Sequence, residues 1–239
     1  PKNFTFYNPE HHIRIYQELE RKNPLAIIAA TSRNPELAGG IYPFPLIEDG
    51  DFDIPSVYMT EEEGQRLCLH TGSPVYLSFA AERIPSVGSN VYARKGANPK
   101  RRFVVCAHID AKPGTPGALD NATGIAAILV LAELLKDYAG EITLELIAIN
   151  GEDYYGANGE IQVVEINQGK FDEIILAVNL DGAGYIKGAT HYSLYDTPDF
   201  INAVAQEIFA DFEGIQKGDQ WYQSDHSIFI QNGCPAMAI

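Results

Sequence analysis

The feature that most constrains the fold is a loop that carries an aspartate and joins an apolar strand to an apolar helix. Residues 103–107 form an apolar run typical of a buried strand, which ends at His108. The loop sequence GALDNATG follows at residues 117–124, and large apolar side chains then recur at helical spacing over residues 125–135. This order predicts an α/β sheet in which His108 and Asp120 lie over one crevice, at the carboxyl end of a strand, where such sheets bind ligands. Taken alone, the pair also fits a surface loop with a helix cap.

Titratable side chains also stand at the ends of other apolar segments. Residues 144–150 and 174–180 are predicted strands, and residues 236–239 are apolar and strand-like. One such group at one strand end is ordinary, whereas two histidines and several carboxylates at these boundaries indicate a metal site. Besides His108 and Asp120, the groups at these boundaries are Glu152, Asp153, Asp181 and His226.

The chemistry of these side chains favours zinc or a similar divalent ion, because imidazole and carboxylate groups suit zinc and no cysteine is placed to join them. The set is too large for one tetrahedral zinc that keeps a position open for substrate. It fits two ions that share one carboxylate, about 3.5–4 Å apart. Neighbouring residues in a turn point in different directions, so one of Glu152 and Asp153 can bind metal while the other acts as a general base.

Five short motifs resemble those of the co-catalytic zinc aminopeptidases, a family that includes bacterial leucyl aminopeptidases, aminopeptidase Y and glutamate carboxypeptidase. The motifs occur in the family's order, from about residue 87 to the last residue. They are His108-x-Asp110, the loop at residues 117–124, Asn150-Gly-Glu152-Asp153, Asn179-Leu-Asp181 and Ser224-Asp225-His226.

The resemblance implies a ligand set for two zinc ions. Asp120 would bridge the two ions. His108 and Asp181 would complete one zinc site, and Asp153 and His226 would complete the other.

The resemblance also implies roles for two further acids. Glu152 would be the general base that takes a proton from water. Asp110 would not bind metal itself but would orient the imidazole of His108 and fix its tautomer. The family further implies a cis peptide bond between Asp120 and Asn121.

The chain departs from the family's pattern at two places. Asp153 stands where the family often has a glutamate, and its shorter reach could alter the geometry or the metal occupancy. Residues 154–159 replace the more usual Gly-Leu-x-Gly-Ser pattern. This change is either local repacking at a helix start or a sign that Tyr154 or Tyr155 lines the substrate pocket.

A division near Pro85 separates two predicted domains. Residues 1–85 resemble part of a protease-associated domain, a small β-rich insertion found in many members of the same family. Residues 86–239 would be the peptidase domain, which we expect to lack its C-terminal end. The elements predicted upstream are a helix at 12–21, a strand at 25–30, a Pro- and Gly-rich loop at 34–53, a strand at 54–59 and a helix that begins at Thr60 with a capping-box Glu63.

The composition fits an enzyme with a sizeable core, since 46% of the 239 residues are hydrophobic. With 17 basic and 32 acidic residues the net charge is −15, which argues against nucleic-acid and anionic-membrane partners. No apolar run approaches the length of a membrane span. Cys68, Cys106 and Cys234 suggest no disulfide framework and lean weakly towards the cytoplasm, although the family also allows secretion.

The sequence therefore predicts an α/β fold, with a mixed, mostly parallel sheet flanked by helices and a small β-rich protease-associated domain. It predicts a zinc metallopeptidase with two zinc ions and a peptide substrate, acting as an aminopeptidase. The alternatives are a carboxypeptidase or dipeptidase of the same family and, less favoured, an enzyme like the glutaminyl cyclases or a non-catalytic receptor-like ectodomain. The oligomeric state stays open.

Overall fold

The computed structural model of the chain describes residues 10–30, 52, 54–80, 82, 84–112, 114–153 and 157–239, with the backbone alone for residues 10–13 and 16. The chain divides into two compact units, Pro1–Val87 and Gly88–Ile239.

The first unit contains two short parallel strands and two helices in its described residues. Their bounds are α1 Glu10–Arg21, β1 Ile27–Ala30, β2 Ser56–Met59 and α2 Glu61–Cys68. Strand β1 pairs with β2 so that Ile27 lies opposite Ser56. The predicted N-cap of α2 is confirmed, because the Thr60 hydroxyl accepts a hydrogen bond from the backbone N–H of Glu63 at 3.5 Å.

The core of the first unit is small. Phe52 is buried and packs against Leu19, Ile27, Ala29 and Ile54. Apart from Phe52, the predicted loop at residues 34–53 lies outside the described residues. These features do not identify a protease-associated domain, so that assignment of residues 1–85 stays a prediction, as does the peptidase domain at 86–239.

A seven-stranded sheet forms the centre of the second unit. Its strands are β3 Val91–Lys95, β4 Asn98–His108, β5 Ile142–Ile149, β6 Ile174–Asn179, β7 Thr190–Tyr195, β8 Ile215–Lys217 and β9 Ala236–Ala238. The spatial order is β3-β5-β4-β6-β9-β7-β8. The four central strands β5, β4, β6 and β9 are parallel. Strand β3 pairs antiparallel with β5, and β7 pairs antiparallel with β9 and parallel with β8. The predicted mixed, mostly parallel sheet is confirmed.

Helices flank this sheet. They are α3 Ala122–Leu134, α4 Asn158–Asn167, α5 Asp199–Ala210 and α6 His226–Gln231. On one face of the sheet, Ile128 of α3 and Ala205 of α5 pack with Val105, Leu146 and Val178 in an apolar core. Burial of these side chains is the main force that holds helix and sheet together. Among the described helices, none has the length and apolar character needed to cross a membrane.

The parallel strands place the titratable residues at one edge of the sheet. His108 is the last residue of β4, Glu152 and Asp153 follow β5, and Asp181 follows β6. Because β4 pairs in parallel with both β5 and β6, the carboxyl ends of the three strands meet at this edge.

Candidate metal centre

His108, Asp120 and Asp181 are brought together at this edge. In the part of the chain that the structure describes, they form the only cluster of three or more His, Cys, Asp or Glu side chains placed to hold one metal ion, with ligand atoms all within 4.8 Å of one another. Nε2 of His108 lies 2.9 Å from Oδ1 of Asp120 and 3.3 Å from Oδ1 of Asp181. Three of the five predicted ligands therefore converge on one point.

The spacing of these atoms fits zinc. Two ligand atoms of a tetrahedral zinc, each bound at about 2.0–2.1 Å, lie roughly 3.3 Å apart. The two distances from Nε2 of His108 are close to that value. One imidazole and two carboxylates also leave a fourth position for water or substrate, as catalytic zinc sites require.

Asn121 joins the start of α3 to the end of β6 and so brings Asp120 towards Asp181. Its Oδ1 accepts the backbone N–H of Gly124 at 3.1 Å, and its Nδ2 donates to the carbonyl of Leu180 at 2.8 Å. A Cβ on Gly124 would overlap that Leu180 carbonyl, so the close approach requires glycine. The cis peptide bond implied between Asp120 and Asn121 is present.

The charges at this site are strongly coupled. Burial by itself lowers the pKa of His108, but the hydrogen bond to Asp181 and the negative charge of Glu152 raise it to about 10. Burial by itself raises the pKa of Asp181, but hydrogen bonds from His108 and Ser224 lower it below its ordinary value. A metal ion would take the place of the imidazole proton between the carboxylates.

Asp153 lies beside this group but does not join it. Its Oδ2 accepts the backbone N–H of Lys112 at 2.8 Å. Burial raises the pKa of Asp153, and the charge of Asp120 raises it further. The neighbouring Glu152 is half-buried, and its charge acts on His108. Both adjacent acids thus interact electrostatically with this charged cluster.

Asp110 is placed between His108 and the turn that carries these two acids. Its carboxylate accepts the backbone N–H groups of Gly151, Glu152 and Asp153. Nδ1 of His108 lies 3.0 Å from the backbone carbonyl of Asp110 and 3.8 Å from its carboxylate. A main-chain oxygen at hydrogen-bonding distance can therefore hold the Nδ1 proton, which leaves Nε2 of His108 to face the carboxylates.

His226 does not lie in the three-residue group. The residue is buried, and its Nε2 lies 2.7 Å from the carbonyl of Trp221. The rings of Tyr195 and Trp221 are 5.0 and 4.6 Å from the imidazole, centre to centre. Burial lowers the pKa of His226, so the ring is neutral at neutral pH, the form that binds metal.

Two further acids near the site are absent from the sequence-based set of site residues. Glu160 in the first turn of α4 and Asp225 before α6 are fully buried, and none of their four carboxylate oxygens has a hydrogen-bond partner. Burial raises the pKa of Glu160 to about 8 and that of Asp225 well above its ordinary value. Glu160 and Asn167 lie on the same buried helix face as Val163. Two polar residues on the face that a helix buries are the signal that could have identified Glu160.

A cavity of about 210 Å³ opens beside Asp181. Gly182, Gly184, Tyr185 and Trp221 contribute to its walls. Tyr154 and Tyr155, one of which would line the substrate pocket in one of the two interpretations of the sequence, lie outside the described residues. Space for a substrate side chain is therefore available directly next to one potential ligand.

The sequence matches the family model described as peptidase family M28 over residues 90–239. Aminopeptidase YwaD of Bacillus subtilis (strain 168) is 22% identical over 197 residues, which cover 79% of this chain and 43% of that protein.

Solved structures of aminopeptidases share the fold. The aminopeptidase from Aneurinibacillus sp. strain AM-1 is similar with a TM-score of 0.61 at 26% identity, over 79% of this chain and 48% of that one. BSAP, a zinc aminopeptidase from Bacillus subtilis, is similar with a TM-score of 0.59 at 20% identity, over 77% of this chain and 47% of that one. The chain thus spans less than half the length of these relatives.

Proposed function

The chain belongs to peptidase family M28, and we propose that it acts as a zinc-dependent aminopeptidase. The observation that carries the proposal is the convergence of His108, Asp120 and Asp181 at the distances expected between ligands of one zinc. Relatives described as aminopeptidases, one of them as a zinc aminopeptidase, support the same activity.

We assign two zinc ions to the site. His108, Asp120 and Asp181 would hold one ion, and Asp120 would share a second with Asp153 and His226. Two observations support this second set. The charge of Asp120 raises the pKa of Asp153, and burial lowers the pKa of His226 so that its ring is neutral. The second site would require His226 to exchange its contact with the carbonyl of Trp221 for metal.

The reaction would be hydrolysis of the N-terminal peptide bond. When bound, zinc would polarise the scissile carbonyl and lower the pKa of water. Glu152 would take a proton from the attacking water and deliver it to the leaving amine. The cavity beside Asp181 would receive a substrate side chain, because it lies next to the reacting centre.

A substrate panel tests the activity. Zinc-loaded protein should hydrolyse aminoacyl p-nitroanilides and fail on the same compounds with an acetylated amine. Preference for peptides with a free carboxylate and a blocked amine would instead identify a carboxypeptidase, and ammonia release from N-terminal glutamine would identify a cyclase.

Matched variants separate the site from general effects of charge. Asp120→Asn removes one negative charge from the proposed ligands and should reduce both zinc content and turnover. Asp172→Asn removes one from an exposed position outside the site and should change neither. Equal turnover in both variants would rule out Asp120 as a ligand of the catalytic metal.

A further inference from the structure

The carboxylate of Asp110 collects three consecutive backbone amides. Its Oδ1 accepts the N–H of Gly151 at 2.8 Å and that of Glu152 at 3.2 Å, and its Oδ2 accepts the N–H of Asp153 at 3.0 Å. The Asp110 side chain is only 7% exposed, so water competes little for these bonds. Bonds to an ionised acceptor are stronger than those between neutral groups.

These three amides belong to the turn that leaves β5. Gly151 has φ of +105°, a conformation that glycine adopts at low cost. Successive N–H groups that point to one side form a concave site for an anion. The anion is supplied by a residue about 40 positions earlier in the chain, so the shape of the turn depends on Asp110.

The side chain of Asp110 makes no comparable bond to His108. The separation of 3.8 Å between its Oδ1 and Nδ1 of His108 is too long for a hydrogen bond. The backbone carbonyl of Asp110, at 3.0 Å, is the acceptor that faces Nδ1. Any residue at position 110 would supply that carbonyl. Only a carboxylate has two side-chain oxygens that can both accept hydrogen bonds from the turn.

We propose that Asp110 is a positioning residue for Glu152 and Asp153, acting through the backbone of their turn instead of through His108. The carboxylate sets the direction in which these two adjacent side chains leave the main chain. The kinetic consequence of this inference rests on the proposed function, but the structural consequence does not.

Amide hydrogen exchange on the metal-free protein tests the structural consequence. Asp110→Ala should accelerate exchange of the amides of residues 151–153 by roughly 10- to 100-fold, as expected for lost bonds to a charged acceptor. Asp110→Asn leaves one accepting side-chain oxygen in place of two, so it should preserve part of that protection. The amides of the central strand β5 should stay protected, as should all three turn amides in the control Asp172→Ala. Unchanged exchange at residues 151–153 in Asp110→Ala would overturn the proposal.

A double-mutant cycle tests the consequence for catalysis. Asp110→Ala should lower kcat by roughly 10²-fold, the scale of a misplaced catalytic group, with a much smaller change in KM. In a Glu152→Gln background at saturating zinc, the same substitution should lower kcat by less than about threefold, because Glu152 is already disabled and excess zinc offsets weaker metal binding by Asp153. Multiplicative effects, together with loss of zinc from the His108 site, would show that Asp110 acts through His108. If the wild type hydrolyses no peptide substrate, the proposed function fails, and the exchange experiment alone decides the role of Asp110.

Discussion

Glu145 permits a direct test of how burial controls the strength of an ion pair, because one carboxylate binds two arginines in different surroundings. Glu145 is completely buried in β5. Arg102 reaches its Oε2 at 2.9 Å and is 6% exposed, whereas Arg94 reaches its Oε1 at 2.6 Å and is 51% exposed. Arg102 also donates to Oδ1 of Asn167 at 2.8 Å and to the carbonyl of Lys170 at 3.0 Å.

We expect Arg102→Met to lower the free energy of unfolding by about 3–5 kcal/mol, since removal of one partner leaves the buried carboxylate of Glu145 poorly compensated. Arg94→Met should cost no more than about 1 kcal/mol, because water solvates and screens the half-exposed partner. The double variant Arg102→Met/Glu145→Met should recover most of the loss, since no buried charge remains unpaired.

Urea unfolding measures these differences. Trp221 is the only tryptophan of the chain and lies in the same compact unit as Glu145, so its fluorescence reports on that unit. The slope of unfolding free energy against urea should stay the same in all variants while the midpoint shifts. Equal losses for Arg102→Met and Arg94→Met, or no recovery in the double variant, would refute the argument from burial.

Three other outcomes follow from the site. Glu152→Gln should keep its metal and lose roughly 10²–10⁴-fold in turnover, whereas Asp153→Asn should lose metal and regain activity in excess zinc. Titration of zinc against turnover distinguishes the two variants. The reverse pattern would make Asp153 the general base and Glu152 the metal ligand. Elemental analysis of zinc-saturated protein should find about two zinc ions per chain, and a reproducible value near one would exclude the shared carboxylate. The pKa of Glu160 is raised from 4.5 to about 8, so its contribution to the stability of the metal-free protein is complete below about pH 4.5 and disappears as the pH rises through about 8. Glu160→Gln should flatten that decline in urea unfolding at several pH values, and an unchanged slope would mean that Glu160 is ionised when folded.

The sequence predicted the central strands of the sheet well, but not its edges. The apolar runs that end at His108 and at residues 150 and 180 correspond to β4, β5 and β6. The edge strand β3 is only five residues long, ends in two charged residues and is mostly exposed, so its sequence resembles that of a loop. The insertion of β9 between β6 and β7 depends on pairing between segments far apart in the chain, which local periodicity does not encode.

What the sequence by itself determined is the kind of site and the edge of the sheet at which it lies. Titratable residues directly after apolar strands must gather at the carboxyl ends of those strands, and their types select a metal such as zinc. Only the tertiary structure decided which side chains meet, because a strand end fixes a position but not the direction of a side chain or the hydrogen bonds that hold it. Thus His108, Asp120 and Asp181 converge, His226 faces Trp221, and Asp110 binds the turn after β5. The burial of Glu160 was likewise decided by the tertiary structure, since a lone acid in a helix is usually exposed to water.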